Sequence, residues 1–125
     1  MLLVYVAAGG ALGALARYGI ATWVQGRSGG TFPWGTLAVN LSGSFLLGLA
    51  LPVLERLALG LEVRALVAVG LLGAFTTFST FSYEAVQLLQ AGEWVRAGGY
   101  VFGSVVLGLL GVTIGLALGT VALRT

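Results

Sequence analysis

The sequence predicts an all-α membrane protein: four transmembrane helices per subunit with a break in the third, paired as an antiparallel dual-topology homodimer. Three observations carry this expectation. The chain is 58% hydrophobic and 8% charged, against about half apolar and a quarter charged in a soluble domain. Its few charges and turn residues divide it into four apolar stretches, each close to the roughly 20 residues a spanning helix needs. Its basic residues favour neither side of the membrane. The four stretches take up residues 1–125 as a single transmembrane domain and leave no length for a soluble one.

The first span is expected over residues 2–24. It starts uncharged and continues to spanning length, unlike a cleavable leader with its basic start and short apolar run. The loop "QGRSGGTF" follows, where Gly29 and Gly30 break the helix and Pro33 is placed to start the next. Span two covers residues 33–54. Glu55, Arg56, Glu62 and Arg64 bracket a short link to span three, residues 64–89, and "QAGEWVR" returns the chain to water before span four, residues 97–123. Trp23, Trp34 and Trp94 fall at span ends, where amphipathic rings anchor at the interface.

Four spans put both termini on one side. That side carries Arg56, Arg64 and Arg124; the other carries Arg27 and Arg96, joined by Arg17 if it lies near its span's end. Orientation ordinarily follows an excess of Lys and Arg on cytoplasmic loops. Near balance predicts a chain that inserts both ways and pairs with itself, the alternative being a loose topology set by a separate orienting partner. The 21 glycines include Gly9 and Gly13, Gly99 and Gly103, and Gly111, Gly115 and Gly119 at four-residue spacing. Such faces let helix backbones approach closely in lipid. Four thin, tightly packed helices leave no room for a pore within one subunit, so any aqueous path must lie between subunits or along a groove.

The inventory also excludes functions. Without Cys, His or Asp there is no zinc site, haem attachment, thiol chemistry or Ser-His-Asp arrangement. Enzymatic activity is not expected. Six arginines against four glutamates, scattered along the chain, form no basic cluster to grip phosphates, so nucleic acid is no partner.

Polar groups inside the membrane are costly and usually face an interior or a pathway. Here they are Arg17 in span one, Thr36, Asn40, Ser42 and Ser44 in span two, Thr76, Thr77, Ser79, Thr80, Ser82 and Glu84 in span three, and Tyr100, Ser104 and Thr113 in span four. A lone Ser or Thr can bond back to its own helix. Asn40 cannot, and needs either a cross-helix partner or a ligand. Arg17, permanently charged with five donors, either snorkels to the interface or forms a basic vestibule. The central groups are mostly donors, which favours an anion. Phe75, Phe78 and Phe81 recur every three residues, so Phe78 and Phe81 project from roughly one helix face. Their electropositive edges could line a dry path for a small anion, ordinary aromatic packing being the alternative.

Gly73 followed by β-branched Thr76 and Thr77 marks a candidate helix break in mid-membrane. Unwound backbone is tolerated there only where protein, water or an ion satisfies it. In an antiparallel dimer two such breaks meeting near the dyad would gather carbonyls suited to a hard cation such as a structural Na⁺; a continuous helix with side-chain back-bonding is the alternative.

Three stretches, "GGALGALARY" (Gly9 to Tyr18), "GTLAVNLSGSFLLG" (Gly35 to Gly48) and "GLLGAFTTFSTFSYE" (Gly70 to Glu84), resemble the Fluc/CrcB fluoride channels, and with the four-span layout the resemblance covers the chain end to end. It implies a dual-topology homodimer with two antiparallel pores and a central, non-transported Na⁺ held by the carbonyls of Gly73 and Thr76. It implies further that Phe78 and Phe81 line the ion path and that Asn40 orients them. Thr36, Ser79 and Thr80 would be hydroxyls near the path, with Tyr100 and Ser104 continuing a polar track, Arg17 the vestibule arginine and Glu84 the carboxylate after the phenylalanine motif. The chain departs from the family at Gly108, where another hydroxyl often stands.

The expected function is therefore passive export of fluoride by a multi-pass channel of the inner or plasma membrane. Its partners are the fluoride ion, a second copy of the chain and the lipid bilayer. The main rival, a small dual-topology multidrug exporter, relies on a carboxylate in the first span, where this chain offers only Arg17. A non-conducting packing subunit would explain the glycines but not "TTFSTFS".

Overall fold

The computed structural model describes residues 1–124. Among them, four segments are long and apolar enough to cross a membrane, and the chain is a multi-pass membrane protein. The first two are continuous helices, α1 (Leu2–Ser28) and α2 (Trp34–Arg56). The third span, Leu61–Gln90, is composite. It begins as α3 (Leu61–Arg64), widens into a π-helical stretch over Ala65–Leu72, returns to α geometry in α4 (Gly73–Phe75), breaks, and resumes as α5 (Phe78–Gln90). The fourth is α6 (Trp94–Val121).

The turns follow from local chemistry. Gly29 (φ 67°) and Gly30 (φ 74°) take left-handed conformations that end α1, and Gly92 (φ 77°) does the same after α5. Pro33 lies at the threshold of α2, where its missing N–H costs nothing. Trp34 and Trp94 open their helices, and Trp23 lies one turn from the end of α1 with the Arg27 guanidinium 4.8 Å over its ring. The α1–α2 and α5–α6 turns are tied together: Thr31 Oγ1 donates to Glu93 Oε2 (3.0 Å) and accepts from Arg96 Nη1 (3.0 Å).

Packing is by close backbone approach. α1 lies along the π-helical stretch, and α2 along α6. A Cβ at Gly13 would fall on the Leu71 carbonyl, and one at Gly115 on the Phe45 carbonyl, so neither contact survives a side chain. Gly99 and Gly103 have no atom within 4 Å of where a Cβ would stand; their spacing does no packing within the protomer. Large apolar side chains such as Leu15, Leu109 and Phe102 point outward, as lipid-facing surface requires. The buried cluster is small: Phe81, Ala85, Leu88, Ala97 and Tyr100 between α5 and α6, covered by Phe32, Leu37 and Val101.

Candidate functional site

The site is built around the break. Thr76 (φ −93°, ψ 156°) and Thr77 (φ −147°, ψ 121°) are extended, which separates α4 from α5. An extended pair in mid-membrane strands backbone donors and acceptors that water cannot reach. Asn40 of α2 meets both groups of one residue: its Oδ1 accepts from the Thr77 N–H (2.7 Å) and its Nδ2 donates to the Thr77 carbonyl (3.0 Å). Thr77 also caps α5, its Oγ1 accepting from the Thr80 N–H at 3.2 Å. On the other side, Arg17 Nε donates to the Ala74 carbonyl at 3.0 Å. Gly43 admits this arrangement to α2, since a Cβ there would strike the Thr76 side chain and the Phe75 ring.

These bonds release two particular carbonyls. In an unbroken helix the Gly73 carbonyl would accept from the Thr77 N–H and the Thr76 carbonyl from the Thr80 N–H. Those donors go instead to Asn40 and to the Thr77 hydroxyl. No group of His, Cys, Asp or Glu among the described residues could hold a metal. Carbonyl oxygens at Gly73 and Thr76 are the donor set the break offers, and oxygen ligands suit a hard cation.

Beside the break lies a cavity of about 240 Å³ lined by Asn40, Ser44, Thr76, Thr77, Phe78, Phe81, Ser104 and Val105. The two rings stand with centroids 5.8 Å apart and planes at 47°. Phe81 is 9% exposed and Phe78 79% exposed, so one ring is fixed in the core while the other stands at the protomer's surface. Phe81 in turn packs on Tyr100 at 5.0 Å. The Tyr100 and Ser104 hydroxyls are buried without any hydrogen-bond partner, a costly condition in a folded protein. Asn40 keeps one amide N–H beyond its bond to Thr77. The lining of the cavity thus includes two uncommitted donors, the Ser104 hydroxyl and the second Asn40 N–H, the complement of a small anion.

A larger cavity of about 790 Å³ opens toward the α1–α2 turn and includes Thr36, Thr80 and Glu84 in its lining. Thr36 Oγ1 donates to Glu84 Oε1 at 2.5 Å, which joins α2 to α5. Most of the site residues expected from the sequence thus fall into three places. Asn40, Thr76, Phe78, Phe81 and Ser104 meet at the small cavity; Thr36, Thr80 and Glu84 meet at the large one; Tyr100 is buried against Phe81. Arg17 and Gly73 stand at the break and line neither cavity, and Ser79 lies on the exposed side of the first turn of α5. Arg17 lies deeper than a span ending at Val24 would put it, because α1 runs on to Ser28.

Two residues gain a role that the sequence reading did not give them. Ser44 lines the small cavity one turn beyond Asn40, and its Oγ would be 3.8 Å from a Cβ at Gly108. A hydroxyl from α2 therefore stands where α6 lacks one; the four-residue spacing from Asn40 was the available signal. Gln25 clips the α1–α2 turn, its Oε1 accepting from the Gly35 N–H (3.1 Å) and its Nε2 donating to the Phe32 carbonyl (3.0 Å).

The chain is similar to known proteins over nearly its whole length. Residues 4–116 match the family model described as CrcB-like protein, Camphor Resistance (CrcB). The chain is 56% identical over 114 residues to a fluoride-specific ion channel FluC of Thermus thermophilus, covering 91% of this chain and 90% of that one. It is 56% identical over 117 residues to the protein of the same name from Hahella chejuensis (93% and 92% covered). For that of Chloroflexus aurantiacus the identity is 50% over 115 residues, with 91% of each covered.

Proposed function

We propose, because the chain belongs to the CrcB-like protein family, that it is a fluoride-specific ion channel and not an enzyme, exporting fluoride passively across the inner or plasma membrane. The observation that carries this reading is the Asn40-sealed break beside a cavity flanked by two phenyl rings and unpartnered hydroxyls. A dehydrated anion needs donors that are not already spent, and Ser104, Tyr100 and the second Asn40 N–H supply them. The phenyl edges of Phe78 and Phe81 extend that donor surface with positive quadrupole edges. Asn40 fixes the backbone from which Phe78 departs, and so orients the rings. Thr36, Ser79 and Thr80 are hydroxyls near the path, and Ser44 supplies the outer hydroxyl in place of Gly108. Arg17 gathers anions in a vestibule through the guanidinium N–H groups its bond to Ala74 leaves unused, and Glu84 borders the path through Thr36.

The physiological logic follows from acid chemistry. Hydrogen fluoride enters as a neutral weak acid and dissociates in the less acidic cytoplasm, which traps the anion. A negative interior potential then drives it out through a channel without energy coupling. The functional unit is an antiparallel dual-topology homodimer. Its Gly73 and Thr76 carbonyls, released by the break, would hold a structural Na⁺ that is not transported. Such an ion would neutralise carbonyl dipoles that otherwise face one another.

The testing experiment is ion efflux from liposomes holding the purified protein, with fluoride compared to chloride in sodium buffer and again after sodium is replaced. Rapid efflux confined to fluoride is expected, with loss of activity once sodium is withdrawn; fluoride retention by verified dimers would reject the channel. Phe78→Ile and Phe81→Ile are each expected to slow fluoride efflux about tenfold, as loss of about 1.4 kcal/mol at the top of the barrier would. Both variants should remain assembled by size-exclusion chromatography, and normal throughput in both would remove the rings from the path.

A further inference from the structure

An aromatic ladder runs from the α1–α2 turn to the break. The Phe32 and Trp34 rings lie 4.5 Å apart, Phe32 meets Tyr100 at 5.5 Å and 80°, Tyr100 meets Phe81 at 5.0 Å and 53°, and Phe81 meets Phe78 at 5.8 Å. Phe32 differs from the three rings beyond it in where it comes from. Tyr100, Phe81 and Phe78 stand on spanning helices, whereas Phe32 lies on a turn. Its position is nevertheless fixed. The Phe32 carbonyl accepts from both the Trp34 N–H (2.9 Å) and Gln25 Nε2 (3.0 Å), while the same Gln25 amide holds the Gly35 N–H.

Tyr100 is 1% exposed and its hydroxyl has no partner. Spinning the ring about its own axis leaves the hydroxyl oxygen where it is, but a buried, unspent hydroxyl gains if its side chain swings about the Cα–Cβ bond until the oxygen finds an acceptor. Neighbours on both sides prevent that: Phe81 tilts against the ring, and Phe32 meets it in the edge-to-face geometry that aromatic quadrupoles favour. We propose that Phe32, clipped in place by Gln25, is a positioning residue that holds Tyr100 so that its hydroxyl stays free for the passing anion. The turn at the membrane surface thereby sets the geometry of a donor deep in the span. This inference rests on the reading of Tyr100 as an ion-path residue.

A double-mutant cycle read by fluoride efflux from liposomes separates the two claims. Tyr100→Phe, which removes only the hydroxyl, should lower efflux about tenfold. Phe32→Leu should lower it about threefold to tenfold, and Phe32→Tyr, which keeps the ring, should stay near the parent rate. In the Tyr100→Phe background, Phe32→Leu should add no further loss, because the hydroxyl it positions is already gone. Gln25→Ala keeps both aromatic side chains but releases the turn that fixes Phe32, so it carries the same cycle should Phe32→Leu not assemble. Losses that multiply in the double variant would overturn the positioning role and leave Tyr100 in the path. Unchanged efflux in Tyr100→Phe would remove Tyr100 from the path and the inference with it.

Discussion

Asn40→Ala is expected to abolish fluoride efflux and to destabilise the folded protein by roughly 1–3 kcal/mol, the cost of one buried backbone donor left unpaired. The Thr77 N–H and carbonyl both end on the Asn40 amide. The carbonyl of this N-cap residue still accepts from the helix it opens, but the N–H has no helical acceptor to fall back on, because Thr76 and Thr77 are extended. Hydrocarbon offers no water in exchange. The break would have to refold toward continuous helix, which would re-aim Phe78 and take back the released carbonyls. Asn40→Asp should be intermediate, since a carboxylate still accepts from the Thr77 N–H while losing the donor to its carbonyl. Denaturant unfolding in micelles and liposome efflux measure the two effects separately. Full activity in Asn40→Ala would mean that the break does not depend on this amide.

Gly13→Val is expected to be the most damaging change outside the site, costing about 3 kcal/mol or more and preventing recovery of folded protein. Its Cβ would land on the Leu71 carbonyl, with the rest of the Leu71 backbone close behind. Overpacking usually costs about 1–3 kcal/mol when side chains can shift. Here the obstacle is backbone on both sides, so α1 and the π-helical stretch must separate along their length. Gly19→Ala supplies the contrast on the same helix. Nothing lies within 4 Å of its Cβ position, and exchanging Gly for Ala in a helix gains about 0.5–1 kcal/mol. Thermal stability of the two variants in detergent checks both; equal stability would show that the α1 contact is not made through backbone.

Much of this was legible in the residues. The four spans follow from hydropathy, and the break from a glycine followed by paired threonines. Asn40 was recognisable as a group needing a partner because no side chain of that kind can satisfy its amide within its own helix. The partner itself was not legible, since it is backbone and the Thr77 peptide carries no label in the sequence. The every-third-residue run of phenylalanines is interrupted by the structure it sits in. The break falls between Phe75 and Phe78, so Phe75 is buried in α4 while Phe78 and Phe81 start a new helical register in α5. The π-helical stretch left no trace either: "ALVAVGLL" is apolar at nearly every position, and a shift from four-residue to five-residue hydrogen bonding changes no pattern when there is no polar residue to mark it. Gln25 carries no signal of its own in the sequence, because one amide near a span end is ordinary. Its importance comes from the two turn peptides it joins.

The seal on the break also bears on how the chain enters the membrane. Asn40 precedes Thr77 by 37 residues, so a polypeptide made from its amino terminus delivers the sealing amide first. The first two spans are uninterrupted helices and can partition into lipid with their backbone groups bonded internally. The third cannot do so in its final form. Its extended peptide at Thr77 is satisfied only with α2 beside it. The broken form of the third span therefore depends on a span that is made before it.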